Sequence, residues 1–348
     1  MNIRLTYNNT DITNYVVNYS RHQNLCSGTS EASVTLLFSV KEIINPTTYG
    51  VIRIYEEEIK KETLYVSTIA VEQNGAVIEL QCESVIKRLN DYFISDIYLI
   101  DYESYAKQWI IKFLEEAGVD YVFNVSDNGS VLSNNTSLGM STAFEAISGL
   151  IQQSAWYIRS TADGIVEIGK IGIDYENVSV VLDDESVMTN ISINQDDNIM
   201  RNRVVVWGSG NEDELGYVFA DARIHTPYDY DTKDIRTAVL TNDPIPSSWI
   251  AQGMANRILK EAQNINYTKT VKIAGLVNTK ISDTIYLSNR LYNGMCLVTD
   301  LTVDYSPDGY TTELILDQRC PRLYAYFGYN NVYVYVGTSA NGVWRKPL

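Results

Sequence analysis

Between Val77 and Glu83 apolar and polar residues alternate: Ile78, Leu80 and Cys82 point one way, Glu79, Gln81 and Glu83 the other. That period of two predicts a half-buried strand. Gln73-Asn74-Gly75 just before it is a hairpin-turn sequence, so a strand over 64–71 pairs with it. Residues 32–40 and 51–55 are further strands, and 84–89 is at most a short helix. Several short strands with tight turns make residues 1–92 an N-terminal β-barrel or sandwich.

The period then changes. From 105 to 117 apolar residues fall at 105, 106, 109, 110, 113, 114 and 117, with Gly118 after them; this spacing predicts an amphipathic helix and its stop. A second helix starts near Ser141, where Thr142 and Glu145 form a capping box and Phe144, Ile147 and Ile151 share a face. A hairpin over 155–159 and 165–171 turns at 161–164. Residues 93–183 thus form an α+β middle domain.

Strands resume at 187–193 and 203–208, with 215–222 pairing back on the latter; 224–234 is a loop. Ser247 or Ser248 caps a helix to about 264, carrying Ile250, Met254, Ile258 and Ala262 on one face. Strands follow at 268–274 and 284–287. Over 297–305, Leu297, Leu301, Val303 and Tyr305 share a face; Ser306-Pro307-Asp308-Gly309 turns the chain, and 310–317 returns with Thr312, Leu314 and Leu316 on one face. This makes 184–320 a second β-barrel with a helical insertion at about 247–264. The segment 321–348, with Tyr333, Tyr335 and Trp344, is a C-terminal β extension that cannot bury enough surface alone. The expected fold class is β-rich α+β.

Composition narrows the function. The 26 Tyr against 7 Phe suit half-buried strand faces and interfaces. A net charge of −16 excludes a basic nucleic-acid footprint, so no sequence-specific nucleic-acid binding is expected. Cys26, Cys82, Cys296 and Cys320 are far apart and form no CxxC, as buried reduced thiols do. The start of the chain has no apolar signal core and no run is long enough for a membrane span, so a protein made in a cytoplasm, without stable membrane insertion, is expected.

Catalytic chemistry has little to stand on. His22 and His225 belong to no metal or nucleophile motif, and no cofactor or metal is expected. Gly164–Lys170 imitates a phosphate loop, but Ile171 stands where Ser or Thr should hold magnesium. The acid pairs at 183–185 and 196–197 could be glycosidase carboxylates but fit solvated turns better. Residues 127–130 lack the downstream acidic ligand of a calcium loop. Trp109 and Trp249 fall on apolar helix faces; Trp207 and Trp344 leave a sugar-binding reading open.

One stretch carries a resemblance. Val271–Leu276, Ile281-Ser282-Asp283-Thr284-Ile285, the strand opened by Gly294, and Gly309-Tyr310-Thr311-Thr312 resemble the closing barrel of the phage late-control or tail-hub family, with Ser282 where that family often has Gly. Asn2–Tyr15, Thr142–Ile171 and Arg201–Gly208 resemble its opening strand, its middle domain and the strand into its second barrel. The resemblance implies a non-enzymatic virion subunit, assembled in the bacterial host cytoplasm. It implies a homotrimeric ring of near-sixfold shape that joins the tail tube or distal tail protein to a central spike or tip, with a tape-measure protein as a further partner. An acidic lumen would let DNA pass without sticking. Gly294, Gly309, Tyr310, Tyr333, Tyr335 and Trp344 are the candidate assembly residues. The alternative is a phage receptor-binding or carbohydrate-binding tail protein.

Overall fold

The computed structural model describes residues 3–25, 27–44, 50–71, 77–99, 104–129, 131–132, 137–154, 156–172, 174, 176–183, 188–195, 203–208, 218–223, 237–242, 251–252, 255–256, 259, 267–316 and 334–335. Seven strands open the chain: β1 (Ile3–Tyr7), β2 (Thr10–Asp11), β3 (Val16–Asn24), β4 (Ser30–Leu37), β5 (Val51–Glu56), β6 (Ile59–Val71) and β7 (Val77–Glu83). β7 buries Ile78, Leu80 and Cys82 as its alternation requires, and pairs antiparallel with β6. The Asn-Gly turn between them lies outside the described residues. β4 ends at Leu37, short of the expected 40, because Phe38–Glu42 winds into a 3-10 turn that buries Val40.

The middle segment holds α1 (Ile86–Asp91), β8 (Phe93–Leu99), β9 (Ser104–Tyr105), α2 (Ala106–Glu116), β10 (Tyr121–Phe123), β11 (Val131–Leu132), β12 (Ser137–Thr142), α3 (Ala143–Gln153), β13 (Trp156–Ser160) and β14 (Val166–Lys170). α2 buries Ala106, Ile110, Phe113 and Leu114, one stripe of the expected spacing, and ends where Gly118 takes φ +65°, open to glycine at no steric cost. At α3 the capping box closes both ways: the Glu145 amide donates to Thr142 Oγ1 at 3.2 Å, and the Thr142 amide to Glu145 Oε2 at 3.1 Å. These helices pack with Trp156, Ile158, Val166 and Ile168 of the β13–β14 hairpin into one apolar cluster.

Ten strands complete the chain: β15 (Val180–Asp183), β16 (Met188–Gln195), β17 (Arg203–Gly208), β18 (Val218–Arg223), β19 (Thr237–Asn242), β20 (Tyr267–Ala274), β21 (Thr284–Ser288), β22 (Asn293–Ser306), β23 (Gly309–Leu316) and β24 (Val334–Tyr335). β18 pairs back on β17 as expected, and β19 joins β17 in parallel, a strand that local pattern did not reveal. Ala251, Ala255 and Leu259 are helical and buried; Ile250, Met254, Ile258 and Ala262, named from the periodicity, lie outside the described residues, as does 224–234. β15 pairs in parallel with β21, which ties it to the C-terminal strands.

The β-rich α+β class is as the sequence indicated. The two β regions are not separate sheets, however. A single 13-stranded sheet runs β16-β20-β23-β22-β3-β4-β7-β6-β5-β1-β2, with β21 and β15 branching from β22. The splice is the antiparallel pair β3–β22, from Asn24 opposite Asp300 to Tyr19 opposite Tyr305. On either side of it sits a core, one around Leu5, Val34, Leu36, Ile52, Ile54, Leu64 and Leu80, the other around Val271, Ile285, Leu301, Val303, Leu314 and Leu316.

The β13–β14 hairpin wedges against both regions. The Thr63 hydroxyl donates to the Ala162 carbonyl at 2.7 Å, and Lys60 pairs with Asp163. On the other side the buried Arg159 donates to the Ile281 carbonyl and, at 2.8 and 2.9 Å, to the Glu167 carboxylate. The next residue, Ser282, holds φ +72°, a left-handed backbone that costs a side-chain-bearing residue energy; this explains the glycine expected at that position. Ser282→Gly is expected to raise stability by about 0.5–1 kcal/mol net of the hydroxyl's hydrogen bond to Tyr157. Urea unfolding should show a higher midpoint with the same slope.

Candidate assembly surfaces

Of the residues singled out from sequence, Gly309 and Tyr310 stand together at the β22–β23 turn. Ser306 faces Gly309 across a two-residue turn, and Gly309 takes φ +126°, a conformation that favours glycine. Tyr310 does not project outward. Its ring lies 5.0 Å from that of Tyr305 and 6.5 Å from that of Tyr19, over the splice between the two β regions. Gly294 is far from them, opposite Leu287 near the other end of β22. The backbone of Tyr335 pairs with Thr237, whereas Tyr333 and Trp344 lie outside the described residues.

Beneath the three tyrosines is a polar cluster that the sequence did not announce. Arg21 is 2% exposed, Glu56 1% and Glu62 0%. Arg21 grips Glu56 with two parallel bonds, Nε to Oε1 at 2.8 Å and Nη2 to Oε2 at 3.0 Å, while Tyr19 donates to Oε1 at 2.7 Å. Glu62 receives less: its Oε1 is 3.9 Å from Arg21 Nη1 and takes a close contact from the Gln23 amide. Burial pushes the Glu56 carboxyl up, but the Arg21 charge and the hydrogen bonds from Arg21 and Tyr19 outweigh it and hold it below its ordinary value. For Glu62 burial wins, and its carboxyl is pushed up to about 7.

On the opposite face of the splice His22 bridges three strands. Its Nε2 lies 2.8 Å from Asp300 Oδ1 on β22 and its Nδ1 3.4 Å from Glu31 Oε1 on β4. The hydrogen bond to Asp300 raises the imidazole above its ordinary value against the opposing effect of burial. The partners are structural neighbours in register, and among the described residues no group of three or more His, Cys, Asp or Glu is set to hold a metal. The segment that imitates a phosphate loop is the β14 side of a hairpin, and the next described element after it is the strand β15. Asp183 ends β15; the other acid-pair residues, 184–185 and 196–197, lie outside the described residues. Among the described residues no helix is long and apolar enough to cross a membrane.

The surface most suited to protein contact is a ribbon. β8 and β12 pair with each other and, among the described strands, with nothing else. On one face of β8, Phe93, Ile97 and Leu99 are 55%, 64% and 70% exposed, and Met140 of β12 is 61% exposed. On the other face Tyr98 packs 5.6 Å from Trp109 and 6.0 Å from Phe113 of α2, which anchors the ribbon to the helices. An exposed apolar stripe on a strand with a free edge is a feature of surfaces that meet another protein. Sequence reading passed it over because 93–99 does not alternate cleanly.

No family model matches the chain, and no curated protein does. Solved structures do. The 43 kDa tail protein of prophage MuSo2 from Shewanella oneidensis superposes with a TM-score of 0.71 at 13% identity, covering 92% of this chain and 99% of that one. The tail protein from Neisseria meningitidis MC58 gives 0.73 at 10% identity, with 94% and 100% coverage. An E. coli protein described as a component of the type VI secretion system, and as similar to the T4 bacteriophage tail proteins gp27 and gp5, gives 0.55 at 12% identity over 95% and 80%. Over nearly its whole length, the chain therefore has the fold of phage tail proteins.

Proposed function

We propose that the chain is a structural hub subunit of a phage tail or a related injection particle, and that it works by shape rather than by catalysis. The observation that carries this is the end-to-end match in fold to two prophage tail proteins, each covered almost completely. In this reading three copies close into a ring of near-sixfold shape, each contributing the two β regions that the spliced sheet sets side by side. The ring joins the tail tube or distal tail protein on one side to a spike or tip on the other, with the tape-measure protein as a further neighbour, and DNA passes through its bore.

The sheet's topology supports such closure. Its path starts at β16 and finishes at β2, and among the described residues each of these end strands is paired on one side. Two different free edges on one chain suit head-to-tail contacts, which close into a ring when the rotation per copy allows it. Pairing would also cover edges that otherwise invite aggregation. The net charge of −16 suits a bore that does not hold DNA.

Light scattering coupled to size exclusion is expected to give three times the chain mass of 39.3 kDa, and negative-stain images a threefold ring. A species that stays monomeric or dimeric at high concentration and also in the presence of its tail-tube partner would overturn the reading.

A further inference from the structure

Beside the splice, one guanidinium serves two carboxylates in a pocket sealed from water. Arg21 spends its two best-directed donors on Glu56; Glu62, fully buried, is left at 3.9 Å. With both acids ionised the pocket holds an uncompensated negative charge, which a low-dielectric interior tolerates poorly. The hydrogen-bond pattern shows the same shortfall. Gln23 Oε1 is buried with no hydrogen-bond partner, and Glu62 Oε2 and Ser30 Oγ are buried without a well-formed one, although Ser30 stands near enough to lower the carboxyl. A proton on Glu62 resolves the charge, and with the Gln23 amide turned over, its carbonyl accepts that proton while Ser30 donates to the free carboxyl oxygen.

We propose that Glu62 holds its proton in mild acid and gives it up through neutral pH, and that this makes the junction of the two β regions a proton-dependent joint, tight in acid and loosened in mild alkali. Gln23 and Arg21 lie on β3, whose outer edge is the splice itself. A charge appearing on Glu62 therefore acts on the strand that holds the regions together. Of the other charged groups facing the cluster, Lys61 opposes the negative charge, and it acts on Glu56. Tyr19 and Tyr310 stay neutral, since burial raises both phenols. Lys61 is lowered by burial, with the Glu56 charge opposing. On the outer face His22, with Asp300 and Glu31, also favours acid, so both sides of the joint respond in the same sense.

Burial lifts Glu62 from the ordinary 4.5 to about 7. Between those values the folded chain binds a proton that the unfolded chain has lost, so stability falls as pH rises through that window. It is fully retained below 4.5, and the loss is complete once pH has risen through about 7.

Unfolding of the full chain in urea, for wild type and Glu62→Gln at pH 5 to 8.5, tests the joint. Relative to its value at pH 5, the ratio of the variant's folding constant to that of wild type should rise by on the order of 100-fold at pH 8.5. His22 and His225 titrate equally in both proteins and cancel from this ratio. A ratio that does not change with pH overturns the proposal. Infrared difference spectra of the wild type give an independent readout should the variant fold poorly. A buried protonated-carboxyl band at pH 6 that fades by pH 8.5 supports it, and an ionised signature at both pH values overturns it.

Discussion

Replacing Arg21 with methionine is expected to destabilise the fold by about 3–5 kcal/mol at neutral pH. The side chain is 2% exposed and supplies both hydrogen bonds of a two-pronged grip on Glu56, itself 1% exposed. Methionine fills much of the same space but leaves that carboxylate charged and buried, with the Tyr19 hydroxyl as its remaining hydrogen bond. Two charges taken out of water together gain little net stability; one left behind bears the full desolvation penalty. The loss should therefore be strongly non-additive. Arg21→Met combined with Glu56→Gln should recover a large part of it, since the second change removes the stranded charge. Urea unfolding of the two single variants and the double variant measures this. A single-variant loss below about 1 kcal/mol, the scale of an exposed pair, would show that water reaches the cluster.

Phe113→Ala should be comparably severe, at about 3–5 kcal/mol. Phe113 is completely buried on α2 and its ring lies 6.0 Å from those of both Tyr98 and Trp109. Truncation removes transfer energy and leaves a cavity that two helices and a ribbon cannot collapse into without moving. Tyr98 is also what holds β8 to α2, so the ribbon that presents Phe93, Ile97 and Leu99 should loosen before the rest of the molecule. Limited proteolysis should then cut first near 93–99, at denaturant concentrations where the wild type resists. Phe113→Leu, which keeps most of the volume, should lose much less. Equal losses for Ala and Leu would mean that aromatic contact, not volume, is what the site requires.

How much of this was legible from residues alone depended on range. β7, α2, α3 and the β22–β23 hairpin announce themselves because their period, caps and turns lie within about 20 residues of one another. β19 escaped because its strand partners, parallel β17 and antiparallel β24, are both remote in the chain. β8 escaped because its partner, β12, lies beyond an intervening helix. The Arg21 cluster did leave a trace. Glu56 follows Ile52 and Ile54 at the same period-two positions, and Glu62 precedes Leu64 and Val66 at theirs; all six are buried. Continuing the apolar face through these charged residues puts two acids indoors, which calls for a buried cation. Reading charge as a sign of the solvent side hid them. Tyr310, named as a candidate assembly residue, packs over its own splice, a placement that its local pattern does not reveal.

The splice also has a consequence for how the molecule is made. His22 and Asp300, neighbours across it, are 278 positions apart in the chain. Ribosomes add about 5–20 residues per second, so β3 waits roughly 15–55 s for the strand that completes it. Throughout that interval the nascent chain offers an unsatisfied hydrogen-bonding edge to any other nascent copy nearby. Slow, non-local closure of this kind favours low temperature and strong chaperone supply during expression. Yield of correctly closed protein should depend more on the rate of synthesis than on the final stability of the fold.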